Sequence, residues 1–122
     1  MDAKKILIVD DTKSYLWVLS QAFKDAGFAV TMAENGEEGL AAAQKDNPDL
    51  ILLDITMPKM DGITMSKKLK ELGMDMPIIF LTNMSDMQHI SDAVETATDY
   101  VVKADISVED VVARVKERLG IK

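Results

Sequence analysis

The 122-residue chain contains no cysteine. That excludes a disulfide framework, a thiolate zinc site and a thiol nucleophile. A single histidine, His89, cannot build a multi-histidine metal centre. Positive charge is scarce too: 14 Lys plus Arg against 21 Asp plus Glu leave a formal net charge of −7. Such a surface repels phosphate backbones and anionic lipid heads, and no basic stripe offsets it, so neither nucleic acid nor membrane is an expected partner. No apolar run approaches the roughly 20 residues of a membrane helix. The opening Met1-Asp2-Ala3-Lys4-Lys5 lacks a signal-peptide core, and a cytoplasmic location is expected.

With 48% hydrophobic and 29% charged residues, what remains has the composition of a globular chain. Its length suits one domain, expected over residues 1–122 with no output domain after it. Four short apolar runs stand out: Ile6-Leu7-Ile8-Val9, Phe28-Ala29-Val30, Leu50-Ile51-Leu52-Leu53 and Ile78-Ile79-Phe80-Leu81. They read as strands buried on both faces, with Tyr100-Val101-Val102 as a weaker fifth.

Helix-period segments lie between them. The first carries Leu16, Leu19, Phe23 and Ala26 and stops at Gly27. The second opens at Asn35 with Glu38 placed for a capping box and ends before Asn47-Pro48. The third presents Met65, Leu69 and Leu72 and closes at Gly73. A fourth starts at Ser85 with Gln88 and has Met87, Ile90, Val94 and Ala97 on its apolar face. The fifth opens at Ser107 with Asp110 and buries Val111, Val112, Val115 and Leu119. Five strands alternating with five helices predict an α/β (βα)₅ fold around a parallel sheet. Seven of the nine methionines fall between Met57 and Met87, where they read as adaptable core filler.

In open α/β sheets ligands bind beyond the carboxyl ends of the strands. Those ends carry Asp10-Asp11, Asp54, Thr82-Asn83 and Lys103. Three carboxylates on one edge repel one another unless protonated or neutralised, and a hard divalent ion with oxygen ligation is the natural neutraliser. Mg²⁺ is the expected cofactor, with Mn²⁺ able to substitute; Asp11 and Asp54 would be direct ligands, with Asp10 acting through water. The Thr82 hydroxyl and the Lys103 ammonium are donors suited to an anion beside that metal, and the anion implied is phosphoryl.

The acidic pair Asp10-Asp11, the segment from Asp54 through Met57-Pro58 to Asp61-Gly62, Thr82, and Tyr100-Val101-Val102-Lys103 together resemble the receiver domains of two-component response regulators. The likeness spans the chain and is to stand-alone, chemotaxis-type members. It implies a doubly wound, flavodoxin-like sheet in order 2-1-3-4-5. It also implies Asp54 as phosphoacceptor, drawing on the phosphohistidine of a sensor histidine kinase or phosphotransfer protein, or on a small acyl phosphate. The backbone carbonyl of Thr56 would join Asp10, Asp11 and Asp54 around Mg²⁺. Lys103 would pair with a phosphoryl oxygen, and Thr82 with Tyr100 would switch the surface of the fourth helix, last strand and fifth helix for a downstream protein target. Ser14, Tyr15, Trp17 and Val18, early in the first helix, would be contacts for the phosphodonor. The chain departs from the family pattern at Ala104, where proline commonly follows the lysine, and at Asn83, where a small residue commonly follows the threonine.

Plainer roles compete. Asp10, Asp11 and Thr12 could cap the first helix. Asp54 could serve as a turn residue, and Lys103 as a solvated surface lysine. A pseudo-receiver, binding partners without phosphorylation, is the alternative function. A phosphohydrolase with an aspartate nucleophile is disfavoured because Thr56 stands where such enzymes resemble one another in a second Asp.

Overall fold

The structure, a computed structural model, describes residues 3–83 and 99–121. Five parallel strands, β1 (Lys5–Val9), β2 (Ala29–Ala33), β3 (Leu50–Asp54), β4 (Ile78–Thr82) and β5 (Asp99–Val102), form one sheet in the order 2-1-3-4-5. The described helices are α1 (Lys13–Asp25), α2 (Gly36–Asp46), α3 (Gly62–Glu71) and α4 (Val108–Leu119). The expected helix opening at Ser85, with His89, Ile90 and Val94, lies outside the described residues.

Strand alternation divides the core in two. Ile6, Ile8, Leu50, Leu52, Ile79, Leu81 and Val101 face α1 and α4, meeting Leu16, Leu19, Phe23, Val111 and Val115. Leu7, Val9, Ile51, Leu53, Ile78 and Phe80 turn the other way, onto Ala43 of α2 and Met65 and Leu69 of α3. Because helices cover both faces, β3 and β4 are buried along their whole length, and hence their unbroken apolar runs. β2, at one edge, is only half covered: it begins at Ala29 and continues through Thr31 and Met32 to Ala33, beyond the Phe28-Ala29-Val30 run.

Local chemistry sets the helix ends. Asn35 caps α2 by accepting from the Glu38 backbone N–H at 2.9 Å, while Glu38 accepts from the Asn35 side-chain amide at 2.8 Å, a reciprocal pair closed through the amide rather than the backbone N–H of a capping box. The Ser107 hydroxyl accepts from the Asp110 N–H at the start of α4. Asp61 caps α3 through Thr64 N–H at 2.7 Å. One element of the apolar pattern is corrected: Leu72, taken as part of the α3 stripe, is 52% exposed. It sits at the C-cap, where the chain has already left the helical path toward Gly73. Met57 and Met65 are buried, and Met60, Met74 and Met76 pack partly against the same core, as a filler role requires.

Candidate functional site

The strand order brings the carboxyl ends of β1 and β3 side by side, with Val9 in register with Leu53, and β4 next to β3, with Asp54 opposite Leu81. The residues just past these ends therefore share one rim. Asp10 follows β1 and is fully buried; Asp54 closes β3 and is almost so; Asp11 is exposed. Oxygens of all three carboxylates lie within 4.8 Å of one another.

Helix capping does not explain the acidic pair. The N-cap of α1 is Thr12, whose side chain makes no capping hydrogen bond. Asp10 Oδ1 accepts from the Thr12 N–H at 2.9 Å, fixing the turn between β1 and α1. Its Oδ2 pairs with Lys103 Nζ at 2.7 Å.

Lys103 reaches the rim from the short 3-10 turn Lys103–Asp105 that follows β5. Its ammonium is 3.5 Å from Asp54 Oδ1 as well, and its side chain is 16% exposed. The Lys103–Ala104 bond is trans. One cation thus serves two buried carboxylates while three acids crowd the pocket. Burial foremost, then the Asp10 charge and the hydrogen bond with Asp11, push the Asp54 carboxyl up from 3.8 to about 8, against the opposing pull of Lys103. With Lys103 as its one cation the pocket favours holding a proton on Asp54. The three carboxylates offer oxygens, the hard ligands that Mg²⁺ selects, so the residues present fit that ion.

The loop carrying Thr56 holds its shape through backbone contacts. Ile55 N–H donates to Leu81 O at 3.2 Å, and Gly62 N–H donates to Ile55 O at 2.8 Å. A side chain on Gly62 would occupy the place of the Asp54 carbonyl, and one on Gly36 would meet the Met60 carbonyl. Bare backbone at these two positions lets α2 and α3 close on the loop behind the acids. Neither role can be read from the sequence, because a glycine opening a helix looks like punctuation. Thr56 is exposed in this loop.

Thr82 ends β4, buried, with its hydroxyl donating to the Asn83 carbonyl at 3.0 Å. Tyr100, on β5, is 38% exposed and lines an open groove of about 600 Å³ with Ile106, Arg114 and Glu117. On α1, Ser14, Trp17 and Val18 are exposed, Trp17 the most at 61%. Tyr15 is half-buried, its hydroxyl shut off from solvent and without a hydrogen-bond partner among the described residues. The Lys103 ammonium sits 4.8 Å from the centre of its ring. Burial, then the charges of Asp10 and Asp54, push the Tyr15 phenol up to about 12, so it stays neutral.

Comparison with known proteins agrees with this geometry. The family model described as the response regulator receiver domain matches residues 6–116. Among curated relatives, the chain is 37% identical over 113 residues to the alkaline phosphatase synthesis transcriptional regulatory protein PhoP of Bacillus subtilis, covering 93% of this chain and 47% of that protein. It is 37% identical over 116 residues to the DNA-binding transcriptional regulator NtrC of Salmonella typhimurium, covering 94% of this chain and 24% of that protein. The chain therefore spans about half the length of the first relative and about a quarter of the second. Among solved structures, a CheY-like receiver domain protein from Methanospirillum hungatei superposes with a TM-score of 0.90 at 29% identity, over 98% of this chain and 95% of that one. The chemotaxis protein CheY4 of Vibrio cholerae does so with a TM-score of 0.87 at 30% identity, over 95% and 98%.

Proposed function

The chain belongs to the response regulator receiver domain family, and from that premise we propose that it is a phosphorelay switch that accepts a phosphoryl group on Asp54 in the presence of Mg²⁺. The acidic pocket fits phosphoryl acceptance. One observation carries the reading: three carboxylates within 4.8 Å stand beside a single ammonium that already touches two of them. A pocket that both demands a cation and holds a donor for an anion is suited to bringing a carboxylate and a phosphoryl group together.

Asp10, Asp11 and Asp54, with the Thr56 carbonyl, are the residues that would hold the ion. A bound Mg²⁺ supplies the positive charge that lets Asp54 ionise beside its neighbours and that offsets charge on the incoming phosphoryl oxygens. The chain's own residues do the rest. The Asp54 carboxylate is the nucleophile: its oxygen forms the new bond to phosphorus as the phosphorus–nitrogen bond of a phosphohistidine, or the phosphorus–oxygen bond of an acyl phosphate, breaks. Lys103 moves its ammonium from the Asp54 oxygen to a phosphoryl oxygen, keeping Asp10 as its anchor. The Thr82 hydroxyl exchanges the Asn83 carbonyl for the phosphoryl group. Tyr100 then turns inward beside it and remodels the groove between β5 and α4, biasing a two-state surface by a local charge change.

The donor is a sensor histidine kinase or phosphotransfer protein meeting the exposed Ser14, Trp17 and Val18 beside the pocket. The readout is a protein target at the β5–α4 groove, in the cytoplasm. The chain is a switch that is itself modified rather than a turnover enzyme. Among its described residues no helix is long and apolar enough to cross a membrane.

Intact-mass measurement after incubation with acetyl phosphate and Mg²⁺ tests this. Wild type gains one phosphoryl group, and Asp54→Asn gains none. A wild type that binds Mg²⁺ yet gains nothing would leave the pseudo-receiver, an interaction module, as the function. A gain that survives Asp54→Asn would move the acceptor elsewhere.

A further inference from the structure

The lysine of the pocket has a third neighbour besides its two carboxylates. Lysine carries its charge on a flexible four-carbon stem, and nothing in that stem selects one position for the ammonium. Asp10 alone, at 2.7 Å, would draw the charge to the β1 side of the pocket. The ring of Tyr15, in the first turn of α1, meets the ammonium at 4.8 Å from its centre. A cation over an aromatic face is attracted by the ring quadrupole, and the attraction strengthens as water is removed. Here the lysine side chain is 16% exposed, and the ring is itself half-buried. Among the described residues the Tyr15 hydroxyl has no hydrogen-bond partner, and the contact that this side chain makes at the pocket is through its face.

We propose that Tyr15 is a positioning residue whose aromatic face holds the Lys103 ammonium between Asp10 and Asp54, poised for the incoming anion. The assignment to phosphoryl transfer rests on the function proposed above; the clamp itself does not. With Ala104 after the lysine, the turn that presents Lys103 has no pyrrolidine ring to stiffen it. The clamp supplies restraint from across the pocket, tying the end of β5 to α1.

Two variants separate face from oxygen. Tyr15→Phe keeps the face and removes only an unpartnered hydroxyl, whereas Tyr15→Leu keeps apolar bulk and removes the face. In the unphosphorylated protein, the ε-methylene protons of Lys103 are expected upfield of a free lysine by NMR, from the ring current. Tyr15→Phe retains that shift and Tyr15→Leu loses it. Phosphoryl gain from acetyl phosphate, followed by intact mass, is expected to be roughly 5- to 30-fold slower in Tyr15→Leu than in Tyr15→Phe. In a Lys103→Gln background that difference vanishes.

An unshifted Lys103 in the wild type, a Tyr15→Phe as slow as Tyr15→Leu, or a Leu effect that persists without the lysine would each overturn the clamp. An upfield shift in a protein that never takes up phosphoryl would keep the clamp and sink the switch.

Discussion

Asp54 concentrates the opposing forces of the pocket. Burial and the Asp10 charge hold its carboxyl protonated up to about 8, whereas in the unfolded chain it ionises near 3.8. Between those values the folded protein keeps a proton that the unfolded chain releases, so stability without metal is greatest at the acid end and falls as pH rises through this window. Urea midpoints of the Mg²⁺-free protein are expected to decline from about pH 4 to about pH 8 for this reason. Asp54→Asn should flatten the decline and raise the unfolding free energy near pH 8 by about 1–3 kcal/mol, because it deletes one of three repelling carboxylates. Mg²⁺ should act in the same direction on the wild type, adding about 2.7 kcal/mol at a hundredfold excess over its Kd. A wild-type profile that rises with pH in the absence of metal would contradict the protonated pocket. The acids of this site were legible in the sequence because Asp10 and Asp54 directly follow apolar runs, at Val9 and Leu53, and Asp11 is next to Asp10. The proton on Asp54 was not, because it depends on how deeply Asp10 and Asp54 are buried together.

Among the elements, the caps were the most legible and the close approaches the least. Asn35 and Glu38 announce the start of α2 through their spacing alone, since capping needs only residues three apart. Asn35→Ala should cost about 0.5–2 kcal/mol in a urea titration and leave phosphoryl gain intact. Gly62 shows no comparable signal, yet its missing side chain is what lets α3 begin against the Asp54 carbonyl. Gly62→Ala should cost about 1–3 kcal/mol through overpacking, and should also slow phosphoryl gain because the displaced atom belongs to Asp54 itself. The contrast between these two substitutions is the test: a Gly62→Ala protein with wild-type phosphorylation would show that the loop accommodates the extra carbon without moving Asp54. Leu72 teaches the complementary lesson. Period alone placed it on the α3 stripe, but the helix ended one residue sooner and left it in water.

For the whole molecule, the sheet is the frame on which the pocket depends. β1, β3 and β4 lie inside it and carry fully buried side chains, among them Ile6, Ile8, Ile51, Leu52 and Phe80. β2 and β5 are edges, and Met32 on β2 is 43% exposed. Hydrogen exchange should therefore be slowest at the amides of the three inner strands and faster at β2 and β5. The pocket stands on β1 and β3, the rigid part, while Thr82 and Lys103 reach it from the β4–β5 side that the proposed switch must move. Equal protection across all five strands would argue against that division. The (βα)₅ pattern, the strand runs and the acidic rim were determined by the sequence itself, because alternation, helical period and strand-end position are properties of neighbouring residues. Only the tertiary structure decided that Lys103 pairs with Asp10 and Asp54, that the ring of Tyr15 lies beneath that ammonium, and that Gly62 admits the Asp54 carbonyl. Each of these joins residues that only the packing of separate elements brings within a few ångströms, where burial sets the strength of every charge, and no local pattern encodes that distance.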